Sequence, residues 1–493
     1  MKIRAWDAVF LIVIMAFALR IFFAMQTMQY SDYDSYYGLR QIESIGESGK
    51  HISYDELSYG GRDVLGIPFS YYIMSFFHGL FGNVALKIMP ALFISLLAVV
   101  VYLIAKKISE NTIAACLAAL CSAFIPILVL NTLNSLKPYS IAYPLFFLAA
   151  YLFLRMNENK AFLIAFVIAS FVMPLTHPIA FILAISMMIY AVLAYVESIE
   201  LDIIKKEGML LFIMVTFLIE FMLYKKAFIN LGINAIWQNI PKSLMSDFFK
   251  DINILSLMVD IGIVPLLFGI IGIYFGLKNK NKDVLLLASI GISSIMMLIL
   301  KLVEVSIGLV SLGITLSLAS AMGFDKLFKY IAITKFSGHI KAIKASLLVF
   351  ITLTLIVPSI IGAVGISDET LKEDEIGPFL WINNKTALSA TVMAGLEEGN
   401  LVTGIGKRKS AYDMNFMFVD DAEKRNEELS SLFTIESEVK AIEIIKRYDI
   451  DYIYISEKTK KRYGIDELKY AVDEQCFKKV FENESGHVIK VLC

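Results

Sequence analysis

The chain has 493 residues, of which 57% are hydrophobic and 18% charged, against about 25% charged in an ordinary soluble chain. A formal net charge of −1 excludes nucleic-acid binding through a basic field. The charge deficit is uneven. Residues 1–366 hold nearly all the long apolar runs, while 367–493 are rich in Glu, Lys and Asp, as in a soluble domain.

A membrane-spanning helix needs about 20 mostly apolar residues. The first such run, 6–25, follows Met-Lys-Ile-Arg as a signal peptide would. It lacks a small-residue cleavage site and further spans follow it, so it reads as a retained helix. Residues 67–82 are apolar and aromatic but short, which predicts a helix lying on the membrane surface. Further spans are predicted at 84–105, 112–130, 138–154, 161–175, 178–196, 208–226, 254–276, 283–300, 304–323 and 345–366, giving about eleven in all. Pro174, Thr176, His177 and Pro178 break the run 160–197 into a hairpin of two. The stretch 227–252 is amphipathic and is predicted to rest on the membrane or cap a cavity.

Lys and Arg concentrate on the cytoplasmic side of a membrane protein. With the N-terminus in the cytoplasm, the inner segments carry about 16 basic residues and the outer loops about 9. An odd number of spans then puts residues 367–493 outside the cell membrane. Five ionisable residues fall within spans: Asp7, Arg20, Glu220, Asp260 and Glu304. Such groups are costly in lipid and face partners or a water-filled cavity. On this topology all but Asp7 lie in the outer half of the bilayer. Two readings stand: pairing between helices, as of Arg20 with one of the acids, or a single polar cavity open to the outside.

In 367–493 the pattern predicts a strand at 387–395, an amphipathic helix at 437–448, a buried strand at 451–456 and a hairpin over 476–493 turning at Glu484-Ser485. That turn sets Cys476 opposite Cys493, and an outside location permits a disulfide between them. Cys116 and Cys121 lie within a span and read as packing residues. Asn384 and Asn483 each begin an Asn-x-Ser/Thr triplet.

Residues 30–66, just after the first span, contain Asp32 and Asp34 flanking Tyr33. In an extended chain both carboxylates point the same way. Such a pair suits a divalent cation, or one Asp acting as a general base. The following SYYGLRQIESIGE has helical periodicity. The order of first span, acidic turn, this helix, a Tyr-Asp segment and a surface helix resembles the first outer loop of GT-C glycosyltransferases, and most closely the prokaryotic oligosaccharyltransferase catalytic subunit and its relatives. In that family the loop reads roughly Asp-x-Tyr-Tyr-x-x-Arg, and Asp34, Tyr36, Tyr37 and Arg40 match it. Phe379-Leu380-Trp381-Ile382-Asn383 and Gly399-Asn400-Leu401-Val402-Thr403 are also similar to the family. The family's Trp-Trp-Asp-Tyr-Gly motif is replaced by Gly395-Leu396-Glu397-Glu398-Gly399, and its second acidic motif by an acid-free stretch from Asn131 to Tyr139.

The resemblance implies a polytopic α-helical GT-C-like transmembrane domain, 1–366, whose outer loop 26–66 carries catalysis. A small extracytoplasmic α/β domain, 367–493, follows it. It also implies an inverting glycosyltransferase that takes a sugar or oligosaccharide from a polyprenyl-phosphate lipid to a glycan or protein acceptor. Asp34 is then the base, with Asp32 as helper or as a second ligand to Mg or Mn. His177, Lys137 and Lys301, at outer ends of spans, are candidates for the donor phosphate. Arg40, Glu220, Asp260 and Glu304 are candidates for the cavity wall. Two other readings remain open: a non-catalytic membrane protein of the same fold, and a transporter of lipid or solute. A transporter predicts paired halves with broken helices at the membrane midplane, and no internal repeat is visible.

Overall fold

The computed structural model describes residues 5–66, 69–249 and 252–493. They divide into two compact units. One is drawn from residues 1–28, 67–222 and 248–368, and the other from 29–66, 223–247 and 369–493. The division is thus not a single cut after residue 366. Two earlier segments belong with the C-terminal part.

The first unit is helical. Ala5–Ala24, Asn83–Ser109, Lys282–Ile299 and Val305–Ala332 are long and apolar enough to cross a bilayer, as are the helical runs that begin at Ile203 and Ser337. Two bent pairs pass the same test as pairs, and Tyr139–Arg155, Lys160–Thr176 and Ala180–Val196 are shorter apolar helices. At 17 residues each, these three reach the lower end of spanning length, roughly 17–25 residues. Each predicted span therefore has a helical counterpart among the described residues, and the protein is a polytopic α-helical membrane protein. The predicted surface helix runs over Phe69–Phe81.

Two spans read as continuous are broken. Thr112–Ala123 and Pro126–Thr132 meet at 47°, where Pro126, which has no N–H to donate, starts the second piece. Ile254–Asp260 and Ile263–Lys278 meet at 102°. Gly262 makes that bend with φ +94, and a Cβ there would lie 2.2 Å from Leu355 Cδ2. Both the backbone angle and the space call for glycine. The last predicted span lies in a run of Ile340–Ile351, a π-helical turn Thr352–Ile356 and Val357–Glu369.

Close helix packing in lipid rests on small residues. Here Ile263–Lys278 and Val305–Ala332 touch through backbone. A Cβ on Gly272 would lie 1.9 Å from the Ala319 carbonyl oxygen, and one on Gly323 would lie 2.4 Å from that of Phe268. At the far end of Val305–Ala332 the buried Asp325 accepts from Asn111 Nδ2 at 3.0 Å and pairs with Lys329 at 2.6 Å. Arg20 is buried, but its Nη1 donates to the Ala16 carbonyl at 3.2 Å. The expected pairing of Arg20 with an acid is not found among the described residues. The guanidinium instead turns back on its own helix.

The second unit centres on a five-stranded sheet. Its loop segment contributes a small separate ribbon of β1 (Tyr54–Asp55) and β2 (Arg62–Asp63). The sheet strands are β3 (Thr391–Met393), β4 (Lys409–Ser410), β5 (Tyr452–Ser456), β6 (Phe477–Asn483) and β7 (Gly486–Val491). Their order is β4-β3-β5-β7-β6, parallel across β4-β3-β5 and antiparallel across β5-β7-β6. The central strand β5 is buried along its whole length, as expected for a strand covered on both faces. The predicted strand at 387–395 shortens to β3, because 387–390 form a turn. The helix Glu438–Arg447 and the hairpin turn at Glu484-Ser485 fall where expected. Cys476 and Cys493 are joined in a disulfide, with Cα atoms 5.0 Å apart.

The loop segment continues this sheet. Tyr59 N donates to Ser410 O at 2.9 Å and Ser410 N to Leu57 O at 2.7 Å, so residues 57–59 run beside β4. The stretch predicted to rest on the membrane or cap a cavity packs in part on protein and is in part exposed. The helix Ile203–Leu231 runs into it, and Gly232–Trp237 then forms a 3₁₀ turn. Ala227 and Ala235 pack on Met417, and Asn239 Nδ2 donates to the carbonyls of Phe416 and Val419. Ala227, Ala235 and Leu244 are buried there, while Phe228, Ile229, Ile233 and Ile236 are exposed. Residues 250 and 251 of that stretch lie outside the described residues.

Candidate active site

Asp32 and Asp34 are not in an extended chain. Asp34 is the first residue of the helix Asp34–Ser48, and Asp32 stands just ahead of it as a cap. Asp32 Oδ1 accepts from Ser35 N at 2.8 Å and Oδ2 from Ser35 Oγ at 3.0 Å. A carboxylate here satisfies an otherwise unpaired N–H and sits at the positive end of the helix dipole. Asp32 and Asp34 therefore differ in task. The first holds the helix start, and the second projects from it, half-buried.

Two glycines bring Asp34 its partner. The short helix Gly399–Gly404 lies against the helix Asp34–Ser48. A Cβ on Gly404 would come within 2.9 Å of Tyr36 Cβ, and one on Gly399 within 2.1 Å of the Tyr412 carbonyl oxygen. With both side chains absent, the buried Asn400 extends Nδ2 to Asp34 Oδ1 at 3.3 Å. Behind it, Asn415 Nδ2 donates to Asn400 Oδ1 at 3.1 Å and to Asp413 Oδ1 at 3.0 Å. Asp413 also accepts from Asn415 N at 2.8 Å and from Ser58 Oγ at 2.7 Å, and Arg62 Nε donates to Ser58 Oγ at 2.7 Å. Burial pushes the Asp413 carboxyl above its ordinary range, against the pull of Arg62 and these donors.

Arg40, expected at a cavity wall, instead makes a buried bidentate pair with Asp55. Nη2 lies 2.7 Å from Oδ1 and Nη1 3.0 Å from Oδ2. Burial works to raise the Asp55 carboxyl, but the Arg40 bonds prevail and hold it below its ordinary value. The pair ties the helix Asp34–Ser48 to β1.

Beside Asp34, Tyr33 borders a hollow of about 190 Å³ lined also by Glu375, Phe379, Glu398, Tyr454 and Lys458. Lys458 Nζ donates to Tyr33 Oη at 2.9 Å and pairs with Glu375 at 3.1 Å. Burial raises the Tyr33 hydroxyl to about 12 despite that bond. Glu398 is buried and accepts from Gly395 N and Thr459 Oγ1, both at 3.1 Å.

The remaining expected site residues lie in the membrane unit. His177 ends the helix Lys160–Thr176 as predicted. Its Nδ1 accepts from Ile179 N at 3.1 Å, and its ring meets Tyr139 edge-on at 5.1 Å. The proton of the neutral ring is then on Nε2. Lys137 precedes the helix Tyr139–Arg155, and Lys301, with φ +53, links Lys282–Ile299 to Val305–Ala332. Glu304 stands at the N-cap of Val305–Ala332, and Asp260 ends its short helix at the 102° bend. Glu220 is buried, and neither carboxylate oxygen has a hydrogen-bond partner among the described residues. One cation of this unit escaped the sequence reading. Lys87, near the start of Asn83–Ser109, donates to Asn134 Oδ1 at 2.6 Å.

The donors around Asp34 do not form a closed metal cage. Among the described residues, the one trio of His, Cys, Asp or Glu ligand atoms mutually within 4.8 Å is Glu438, Asp473 and Cys476, and that sulfur is in the disulfide. Both Asp32 oxygens accept from Ser35, so an ion such as Mg²⁺, which needs only one or two carboxylates beside a phosphate, would rest on Asp34.

The fold is similar to those of solved oligosaccharyltransferase and ArnT structures. The Archaeoglobus fulgidus oligosaccharyltransferase in its apo form superposes with a TM-score of 0.72 at 16% identity, over 92% of this chain and 70% of that one. Archaeal oligosaccharyltransferase AglB from the same organism, in complex with an inhibitory peptide and a dolichol-phosphate, gives 0.70 at 14% identity, over 92% and 69%. ArnT from Cupriavidus metallidurans, bound to undecaprenyl phosphate, gives 0.57 at 12% identity, over 98% and 97%. At these identities the likeness establishes the fold. Residues 24–231 match a family model described as "Predicted membrane protein (DUF2079)". No curated protein sequence matches significantly.

Proposed function

We propose that the protein is an inverting glycosyltransferase acting on the extracytoplasmic face of the cell membrane. It moves a sugar or oligosaccharide from a polyprenyl-phosphate-type lipid to a glycan or protein acceptor. The observation that carries this reading is Asp34, half-buried at a helix start with one oxygen accepting from Asn400. It occupies the position that the family's catalytic acid takes in the Asp-x-Tyr-Tyr-x-x-Arg pattern. Support for the donor class comes from the structures of like fold solved with dolichol-phosphate and undecaprenyl phosphate. Support for the orientation comes from the bias of Lys and Arg between alternate loops.

In this reading the acceptor's attacking atom gives its proton to the Asp34 carboxylate as it bonds to the sugar's C1. The bond from C1 to the phosphate oxygen breaks, and the lipid phosphate leaves with the electron pair. Attack opposite the leaving group inverts C1. Lys137, Lys301 and the Nε2–H of His177 are assigned to the phosphate, where fixed positive charge and donors stabilise the leaving anion. A Mg or Mn ion would rest on Asp34, because both Asp32 oxygens accept from Ser35, and when bound it would supply positive charge. Asp32 serves the reaction by keeping the helix start in place.

The test is transfer from a radiolabelled polyprenyl-phosphate sugar in detergent, comparing wild type with Asp34→Ala. General-base catalysis is worth about 10²–10⁴-fold, and a loss of that size is expected. Equal turnover by the two proteins would remove Asp34 from the mechanism. A wild type inert with every donor tried would favour a non-catalytic protein of this fold.

A further inference from the structure

We infer that Asn415 is a positioning residue: held by Asp413, it sets the sense of the Asn400 side-chain amide so that the NH₂ edge, and not the carbonyl, faces Asp34. The inference rests on the proposed role of Asp34 for its catalytic meaning, and on the hydrogen-bond network alone for its geometry.

An asparagine amide has one accepting and one donating edge, so its orientation must be settled by its neighbours. Asn400 cannot settle its own. Asp34 prefers the NH₂ edge, but a single 3.3 Å bond to a half-buried carboxylate is a weak constraint. The other edge decides. Asn400 Oδ1 faces Asn415 Nδ2 at 3.1 Å. If Asn400 flipped, two NH₂ groups would meet there and a carbonyl would meet the Asp34 carboxylate. Both contacts would be repulsive.

Asn415 could flip along with Asn400 unless it too is fixed, and Asp413 fixes it. The Asp413 carboxylate accepts from Asn415 Nδ2, Asn415 N and Ser58 Oγ. A flipped Asn415 would set carbonyl against carboxylate inside the protein, where Asp413 is fully buried. The direction of the Ser58 hydroxyl is set in turn by Arg62, whose guanidinium can only donate. From Arg62 to Asp34, a donor-only group at one end and acceptor-only groups at the middle and the far end leave one arrangement of protons. Such chains hold best when every member is satisfied and desolvated. The residues come from four stretches of sequence, around 34, 58–62, 399–404 and 413–417.

The test uses the full-length protein in detergent, with ¹⁵N in asparagine side chains. The Asn400 amide signal is assigned by its loss in Asn400→Leu. In the wild type it should exchange slowly with solvent and show two distinct protons. Asn415→Leu keeps a similar volume and cannot donate to Asn400, so Asn400 exchange should rise at least ten-fold while thermal melting confirms a folded protein. Unchanged exchange in a folded Asn415→Leu protein would overturn the inference, whether or not the wild type transfers sugar. Where the wild type is active, Asn415→Leu should lower kcat at least ten-fold with KM within two-fold, and Asn400→Gln should recover most of the rate lost in Asn400→Leu. Full kcat in Asn415→Leu would also overturn it. A wild type with slow Asn400 exchange but no transfer would sink the enzymatic reading and leave the amide geometry standing.

Discussion

Asn400 donates from Nδ2 to Asp34 Oδ1 at 3.3 Å across 366 residues of sequence. This bond distinguishes Asp34 from Asp32, whose oxygens both serve the start of its own helix. Two acids one residue apart should therefore respond differently to the same change. Asp34→Asn keeps the shape and should lose about 10²–10⁴-fold in transfer with little change in melting. Asp32→Ala should cost about 1 kcal/mol of stability, as for other lost N-caps, and leave most of the turnover. Parallel transfer and melting measurements on the two variants check this. Equal loss of transfer in both would make the acids a functional pair.

The Arg40–Asp55 pair is buried on both sides, at 8% and 0% exposure. Removing one partner strands the other charge away from water, which costs about 3–5 kcal/mol. Arg40→Met should be destabilising by that order, and Arg40→Met with Asp55→Leu less so. Acid should act in the same direction. The folded Asp55 carboxyl lies below its ordinary value of 3.8, so its stabilisation is complete above that value. It is lost as pH falls through the lower folded value. The wild type should lose stability steeply below about pH 4, and the double variant should lose less over that window. Identical acid profiles would show that the pair does not set acid sensitivity.

Helix packing in the membrane unit gives a separate prediction. A Cβ on Gly272 would lie 1.9 Å from the Ala319 carbonyl oxygen, and neither backbone can move without separating Ile263–Lys278 from Val305–Ala332. Gly272→Val should destabilise by about 1–3 kcal/mol, as overpacking does elsewhere. Gly338→Val, where nothing lies within 4 Å, is the control. Melting in detergent compares them, and equal values would mean that the two helices are not held at backbone distance.

Much of this was legible from the residues, for reasons that differ between the units. Apolar runs about one bilayer long mark spans without knowledge of neighbours, so the helices were placed correctly. The bends at Pro126 and Gly262 were missed, because one proline or glycine in an apolar run does not by itself show a break. Asp34 stood out through local spacing with Tyr36, Tyr37 and Arg40. Asn400 entered the sequence reading only as a landmark, and Asp413 and Asn415 did not enter it at all. Their importance comes from the close packing that Gly399 and Gly404 allow, which is a property of the folded chain. The amphipathic pattern of residues 227–252 reports that one face is covered, and says nothing about whether lipid or protein covers it.

The hairpin of β6 and β7 carries the last prediction. Phe477 pairs with Val491, and the disulfide between Cys476 and Cys493 closes the open end one step beyond, across a separation of 17 residues. Leu492 N also donates to Cys476 O at 2.8 Å, so the strand ends stay in register without the covalent link. The bridge then acts chiefly by limiting the unfolded chain, and a loop of about 15 residues corresponds to about 3 kcal/mol in the chain-entropy estimate. Cys476→Ser with Cys493→Ser should lower the melting temperature of the folded protein while leaving transfer per folded molecule unchanged, because β6 is the edge strand farthest from β4 in the sheet. A reducing agent should lower wild-type melting toward that of the double variant and leave the variant unaffected. If reduction shifts both proteins equally, the stabilisation does not come from this bridge.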